Sequence, residues 1–286
     1  MDGAPVIARA LATIDQGSGP PVLLLHGQPG SGASWALVTD RLAGEFRVIA
    51  PDRPGYGVTD GEAGGLAHNA SLAGDLLDAL GTGPVTVVAH SWSGGAAVLL
   101  ADHRPDLVHS IVFVGAACTP DSLDETDRML AWPFIGEVMT VAGLLALGEI
   151  LPRVRRLAPR VPIRIREQFL ASLPDEGVLG GERGALGRHR RTFVIEQRGL
   201  LAELPDVSAA LGRIRVPTAV VVGEWDLVVR PRAARSLAGA IAGAELIEFP
   251  RAGHFVARDA PERLAQVIER YRRAPGTDRQ NDQASG

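Results

Sequence analysis

Val85-Thr86-Val87-Val88-Ala89-His90-Ser91-Trp92-Ser93-Gly94-Gly95 is the stretch that decides how this chain is read. A β-branched apolar run stops at a serine. Small residues follow, and Ala96-Ala97-Val98-Leu99-Leu100 then reads as a buried helix. A strand that becomes a helix within a few residues must bend sharply at Ser91, and its flanks must be small for the two backbones to pass. That is the physical content of a nucleophile elbow. Ala89 and Ser93 stand two before and two after the serine, where glycine is usual. Both are small, so the tight turn stays open to them. Taken alone, the stretch could also be an ordinary serine turn.

Working outward, further apolar runs end at polar or glycine-rich loops. Val6 to Ile14 reads as a first strand region. Pro21–Leu25 ends at His26-Gly27, and Phe46–Ala50 ends at Pro51-Asp52-Arg53-Pro54-Gly55-Tyr56-Gly57. Ser110–Val114 ends at Gly115-Ala116-Ala117, Thr218–Val222 at Gly223-Glu224-Trp225-Asp226, and Glu245–Phe249 before Gly253-His254. Continuous rather than alternating apolar runs mean strands covered on both faces. Helical patterns separate them near Ser34–Leu42, Leu66–Leu80, Gly94–His103, Arg232–Ile241 and Pro261–Arg272. For the last, Asp259 is the candidate N-cap and Pro261 falls in the first turn. This alternation predicts an α/β fold with a mostly parallel central sheet flanked by helices.

The alternation breaks after Thr119. The stretch is rich in helix formers, arginine and proline, with only Thr192–Ile195 hinting at a strand. The expected organisation is a core domain over 1–118, a helical cap inserted between strands over 119–213, the rest of the core over 214–273, and a disordered tail over 274–286. In open α/β sheets, ligands sit outside the carboxyl ends of the strands, so an insertion there roofs the site.

The chain has 286 residues, 46% hydrophobic and 22% charged, with a net charge of −4. That balance offers no field to recruit nucleic acid. All the basic residues are arginines, which we read as codon usage rather than recognition chemistry. One cysteine, Cys118, leaves no internal disulfide or cysteine-based zinc site and reads as a small buried hydrophobe. Met1-Asp2-Gly3-Ala4-Pro5 shows no basic segment before an apolar run, so a cytoplasmic location is expected. The longest apolar run, Phe134 to Leu151, carries Glu137 and Glu149 and is short for a bilayer span. A buried or lid helix fits it better, and no membrane insertion is expected.

Four residues terminate strands where loops converge: Gln28, Ser91, Asp226 and His254. A serine hydroxyl is a poor nucleophile until a base takes its proton. His254, in Gly253-His254-Phe255 after the final strand, is the natural base. Asp226 fits the acid that fixes the imidazole tautomer and stabilises the imidazolium. Asp121 is a rival acid, but it lies well past the strand ending at Val114. A tetrahedral oxyanion needs N–H donors aimed at it in advance. The backbone N–H groups of Gln28 and Trp92 are the candidates. His26 and His90 read as loop-holding residues, and Asp52-Arg53 as a structural turn.

The chain resembles the α/β-hydrolase fold superfamily across roughly residues 5–273. The resemblance rests on His26-Gly27-Gln28-Pro29-Gly30, Asp52-Arg53-Pro54-Gly55-Tyr56-Gly57, His90-Ser91-Trp92-Ser93-Gly94-Gly95, Gly223…Asp226…Pro231 and Gly253-His254-Phe255. It implies a capped hydrolase with a Ser91–His254–Asp226 triad, similar to esterase, haloperoxidase and dehalogenase relatives, with no cofactor. It does not imply a substrate. Dehalogenases and epoxide hydrolases of this fold use aspartate at the elbow. His26-Gly27-Gln28-Pro29 followed by Trp35, with Trp92 after the nucleophile, looks dehalogenase-like, yet Ser91 argues against that chemistry. Epoxide hydrolases also use cap tyrosines, and the tyrosines here are Tyr56 and Tyr271, outside the cap.

The expected activity is hydrolysis of an ester, thioester or lactone-type acyl bond in a small to medium apolar substrate. Carbon–carbon bond hydrolysis and perhydrolysis use the same triad. A non-hydrolytic reading, as a cofactor-free cyclase, an oxygenase or a ligand sensor, stays open at Ala89 and Ser93. Trp35, Trp132, Phe134 and Phe255 are candidate substrate contacts. For Trp35, as for Trp92 and Trp225, core packing is an equal alternative. The cap arginines, Arg153 and Arg198 among them, read as a solvated face balanced by acids including Glu196. Attraction of an anionic substrate is the other reading.

Overall fold

In the computed structural model, residues 11–143, 153 and 183–273 are described. Seven strands form one sheet: β1 (Thr13–Gln16), β2 (Pro21–Leu25), β3 (Arg47–Pro51), β4 (Val85–His90), β5 (Val108–Val114), β6 (Thr218–Gly223) and β7 (Glu245–Phe249). Their order is β1-β3-β2-β4-β5-β6-β7. Only β1 runs antiparallel to its neighbour. The middle strands β4 and β5 are therefore flanked on both sides, and the continuous apolar runs mark this position.

Side chains alternate between two buried layers, as the period of a strand requires. Val87, Ala89, Ile111, Phe113, Val220 and Val222 face one cluster. Val88, Val112, Val114, Ala219 and Val221 face the other. The first layer is covered by α2 (Leu66–Leu80) and α3 (Ser93–His103), the second by α1 (Ala36–Leu42) and α8 (Pro261–Arg273). Every residue of α3 from Ser93 to Leu100 is buried. A helix apolar all round belongs in a core, and this one continues directly from β4. Its position at the centre of the molecule holds Ser91 rigidly.

Between β5 and β6 the described elements are helical: a 3-10 turn over Pro120–Ser122, α4 (Glu125–Leu130) and about two and a half turns of helix over 135–143. Among the described residues the longest helix is α5 (Arg183–Leu211), which has Leu200, Val207, Ala210 and Leu211 in the same buried cluster as β2 Leu23 and α2 Leu76. Thr192–Ile195 lies inside α5, so the strand hint there is corrected. Four β-branched and aromatic residues cannot outweigh a helical period carried on both sides. Two further helices complete the described elements: α6 (Pro231–Ala240), with Ala234 and Leu237 in the first layer, and α7 (Val256–Asp259), with Val256 in the second.

Other expectations shift in detail. Of the first strand region Val6–Ile14, the described portion pairs only from Thr13, and residues 1–10 lie outside the described residues. So do the 274–286 tail and the 144–151 part of the long apolar run. Asp259 is not the N-cap of α8. It ends α7, its carboxylate accepts from the backbone N–H of Gly253 at 2.8 Å, and Ala260 intervenes before Pro261. Among the described residues, no helix is long and apolar enough to cross a membrane.

Candidate active site

β4 delivers Ser91 into a left-handed backbone conformation, φ 55°. That region is costly for any residue with a Cβ, by about 1–2 kcal/mol. The surroundings hold it there: Ser91 N–H donates to Val114 O, and Ser91 O accepts from Gly94 and Ala117, each at 3.0 Å. The close approach behind the elbow falls at Gly94, not at positions 89 and 93. A Cβ on Gly94 would stand 2.6 Å from Ala116 Cβ and 2.7 Å from Cys118 Sγ.

The structure brings Ser91, His254 and Asp226 into one relay. Ser91 Oγ lies 3.0 Å from His254 Nε2, and His254 Nδ1 lies 2.9 Å from Asp226 Oδ2. All three are nearly enclosed. The second Asp226 oxygen accepts from the backbone N–H of Val228 at 2.9 Å and Val229 at 2.8 Å. The acid is thus aimed by its own loop. Gly115, at φ 52°, ends β5 against this pair; a Cβ there would meet Asp226 Oδ2 at 3.0 Å and His254 Nδ1 at 3.2 Å. Asp121 is elsewhere: it is exposed and accepts from Ser236 Oγ at 2.6 Å.

Two further histidines pack around the relay. His90 donates from Nε2 to the backbone oxygen of His254 at 3.0 Å, with the two rings 4.7 Å apart. Burial, then the neighbouring His254, push His90 down to about 3. His26 donates from Nδ1 to Gly27 O at 2.9 Å and accepts the Arg53 backbone N–H on Nε2 at 3.0 Å. Burial, then the charge of Arg53, hold it well below its ordinary value. Both are neutral structural rings in the folded protein.

The depression of His90 has a pH consequence. The unfolded chain takes up a proton on His90 below about 6.5, and the folded chain does not until about 3. Its contribution to stability is therefore full above 6.5 and falls as pH falls through that window, by up to about 1.4 kcal/mol per pH unit. Urea titrations of wild type and His90→Gln between pH 7 and 5 isolate the term, because groups such as Glu196 cancel in the difference. The wild type is expected to lose stability relative to the variant on acidification. Parallel pH dependences would contradict it.

Of the oxyanion candidates, Trp92 is the N-cap residue of α3, directly after Ser91. Gln28 follows β2 on the adjoining strand, and its side chain donates from Nε2 to Phe193 O at 2.8 Å. Among the described residues, no hydrogen bond takes up the backbone N–H of either.

The other named residues spread out. Phe255 packs edge-on against His254, ring centroids 5.3 Å apart. Trp35 is buried under the loop after β2, 6.3 Å from the His90 ring, and shares a small cavity with His90 and Phe255. Trp132 and Phe134 are exposed on the segment before 135–143, Phe134 at φ 62°. Trp92 is buried and donates from Nε1 to Glu196 O at 3.0 Å.

The sequence reading missed one group. Glu196 is not part of a solvated face. It is buried on α5 and pairs with Arg53, with Arg53 Nε to Glu196 Oε1 at 2.9 Å. Tyr56 donates its hydroxyl to Glu196 Oε2 at 3.0 Å. The missed signal is periodicity: Glu196 stands four residues from Thr192 and from Leu200, both buried on the same helix face. The cap arginines that are described, Arg153, Arg190, Arg191 and Arg198, are exposed, and Arg198 pairs with Glu137 at 2.9 Å.

The model of the alpha/beta hydrolase family matches residues 22–267. Pimeloyl-[acyl-carrier protein] methyl ester esterase of Chromobacterium violaceum is 33% identical over 245 residues, covering 83% of this chain and 88% of that protein. Haloalkane dehalogenase 2 of Mycobacterium tuberculosis is 29% identical over 269 residues, 90% of each chain. Among solved structures, a thermophilic esterase from Thermogutta terrifontis superposes with a TM-score of 0.64 at 25% identity, covering 91% of this chain and 92% of that one.

Proposed function

The chain belongs to the alpha/beta hydrolase family, and from that premise we propose that it is a serine hydrolase acting on an ester, thioester or lactone-type acyl bond. The observation that carries this reading is the unbroken relay from Ser91 Oγ through His254 to Asp226. As Ser91 Oγ bonds to the acyl carbon, its proton passes to His254 Nε2. Asp226 holds the proton on Nδ1 and stabilises the imidazolium. The carbonyl oxygen becomes an oxyanion, met by the backbone N–H groups of Gln28 and Trp92; the latter lies at the amino end of α3, where the helix dipole favours negative charge. His254 then returns the proton to the leaving oxygen or sulfur as its bond to carbon breaks. His254 then takes a proton from water as the water oxygen bonds to the acyl carbon, and returns it to Ser91 Oγ as the carbon–Oγ bond breaks, which releases the acid and restores the serine.

Serine at the elbow separates this reading from that of the dehalogenase relative. Displacing a halide through an ester intermediate requires a carboxylate nucleophile, and Ser91 carries none. The substrate is proposed as small to medium and apolar, with Trp132, Phe134 and Phe255 as contacts and residues 119–213 as the cap over the site. A cytoplasmic location remains part of the proposal.

A panel of p-nitrophenyl esters of increasing acyl length tests the substrate class. Turnover with a single optimum among the short to medium chains is expected. No turnover at any length, together with tight binding of an apolar ligand, would favour a non-hydrolytic protein instead.

A further inference from the structure

Arg53 stands at the centre of a buried polar cluster that the triad chemistry does not use. A guanidinium offers five N–H donors in a fixed plane, and all five are occupied. Nε and Nη2 hold the two carboxylate oxygens of Glu196, at 2.9 and 3.2 Å. Nη1 donates to His26 O and to Ser93 Oγ, the latter at 2.7 Å. The remaining Nη2 proton goes to Gly27 O at 3.1 Å. Ser93 Oγ in turn donates to His26 O at 2.5 Å. The guanidinium also lies over the Trp92 ring, 4.7 Å from its centroid.

These contacts bear on the oxyanion pocket through one covalent fact. Gly27 C=O and Gln28 N–H belong to the same peptide group, which is planar and trans. The carbonyl and the N–H point in opposite directions. Whatever fixes the direction of Gly27 O therefore fixes the direction of Gln28 N–H. Two donors do so, His26 Nδ1 at 2.9 Å and Arg53 Nη2 at 3.1 Å. A cation on the carbonyl side also polarises the peptide and strengthens its N–H as a donor. The other oxyanion candidate is tied to the same unit: Trp92 Nε1 donates to the backbone oxygen of Glu196.

We propose that Arg53 and Glu196 are positioning residues for the oxyanion pocket, locking the Gly27–Gln28 peptide and the elbow to helix α5 so that both backbone donors stay aimed at the developing oxyanion. Resting on the serine-hydrolase reading above, this gives Ser93 its purpose. Its hydroxyl fills the space between Arg53 and His26, accepting from the one and donating to the other's backbone oxygen.

The test uses the full chain with Arg53 and Glu196 both changed to Met. Removing one partner alone would strand a buried charge, whereas removing both keeps apolar volume. Three readouts are compared with wild type: the rate of Ser91 labelling by a fluorophosphonate, the kcat and KM on the best ester of the panel, and the affinities for a trifluoromethyl ketone and its methyl ketone counterpart. The trifluoromethyl ketone adds to the serine and forms an oxyanion; the methyl ketone binds without doing so.

We expect labelling, kcat and trifluoromethyl ketone affinity to fall together by about 10- to 100-fold, short of the loss of a whole oxyanion donor. KM and methyl ketone affinity should stay within about threefold. A folded variant that keeps all three readouts within twofold of wild type overturns the proposal. So does an equal loss of both ketones, which would mean general collapse of the pocket. If the double variant does not fold, Arg53→Gln combined with Glu196→Gln, which removes both charges and keeps polar partners in the site, is expected to show the same pattern at about three- to tenfold, and no change there overturns it. Failure of the wild type itself to label at Ser91 would overturn the serine-hydrolase reading and this one together. Normal labelling with an indifferent variant would overturn this one alone.

Discussion

Ser91→Ala is expected to lower kcat by about 10⁵- to 10⁶-fold, because removing a triad nucleophile costs about as much as removing the whole triad. The mutation takes away the hydroxyl that His254 Nε2 faces at 3.0 Å. What activity survives should come from the oxyanion donors acting on a water attack. Stability separates this loss from unfolding. Alanine keeps the strained left-handed backbone at position 91, so Ser91→Ala should melt close to wild type. Ser91→Gly should be equally inactive and melt higher, since glycine adopts φ 55° without strain. Paired ester kinetics and thermal melts check both expectations. Activity retained in either variant would remove Ser91 from the chemistry.

Asp226→Asn is expected to cost about 10⁴-fold in kcat with the fold intact. The direction follows from the hydrogen bonds on this side chain. Two backbone N–H groups, Val228 and Val229, donate to Oδ1. An asparagine must keep its oxygen there, which turns its amide N–H₂ toward His254 Nδ1. Two donors then face each other unless the imidazole moves its proton to Nε2. That tautomer presents an N–H to Ser91 Oγ and can no longer take its proton. KM should change little, and raising the pH should not restore the rate, because the fault is tautomeric rather than ionic. A loss below about tenfold would mean another group orients His254.

Much of this was legible in the chain. Strands covered on both faces are written as unbroken apolar runs, so β2, β4, β5, β6 and β7 stand within a few residues of where Pro21–Leu25, Val85–Ala89, Ser110–Val114, Thr218–Val222 and Glu245–Phe249 put them. Ser91, Asp226 and His254 each follow such a run within five residues. A parallel sheet gathers the carboxyl ends of its strands at one edge, so strand ends predict proximity between residues far apart in sequence.

What could not be read were relations that no local pattern encodes. Glu196 looked like one more charge on an arginine-rich surface. Its burial depends on which face of α5 turns toward Arg53, a choice made by Leu200, Val207 and Leu211 packing into the core. Asp259 has the composition of an N-cap, yet its carboxylate is captured by the Gly253 N–H next to His254. The glycine needed behind the elbow is Gly94, because Ala116 and Cys118, just past β5, close in on it there, whereas positions 89 and 93 hold an alanine and a serine. Tight packing sets such positions, and packing is three-dimensional.

These residues give one account. The sheet fixes Ser91 in strain, the loops after β6 and β7 supply Asp226 and His254, and the helix between β5 and β6 braces the oxyanion side through Glu196 and Arg53. The most direct test of its central claim is fluorophosphonate labelling of the intact protein, with the modified residue mapped by peptide mass spectrometry. The account predicts one label per chain, on Ser91, abolished in Ser91→Ala and strongly slowed in Asp226→Asn. Labelling of any other residue, or none at all, would contradict it.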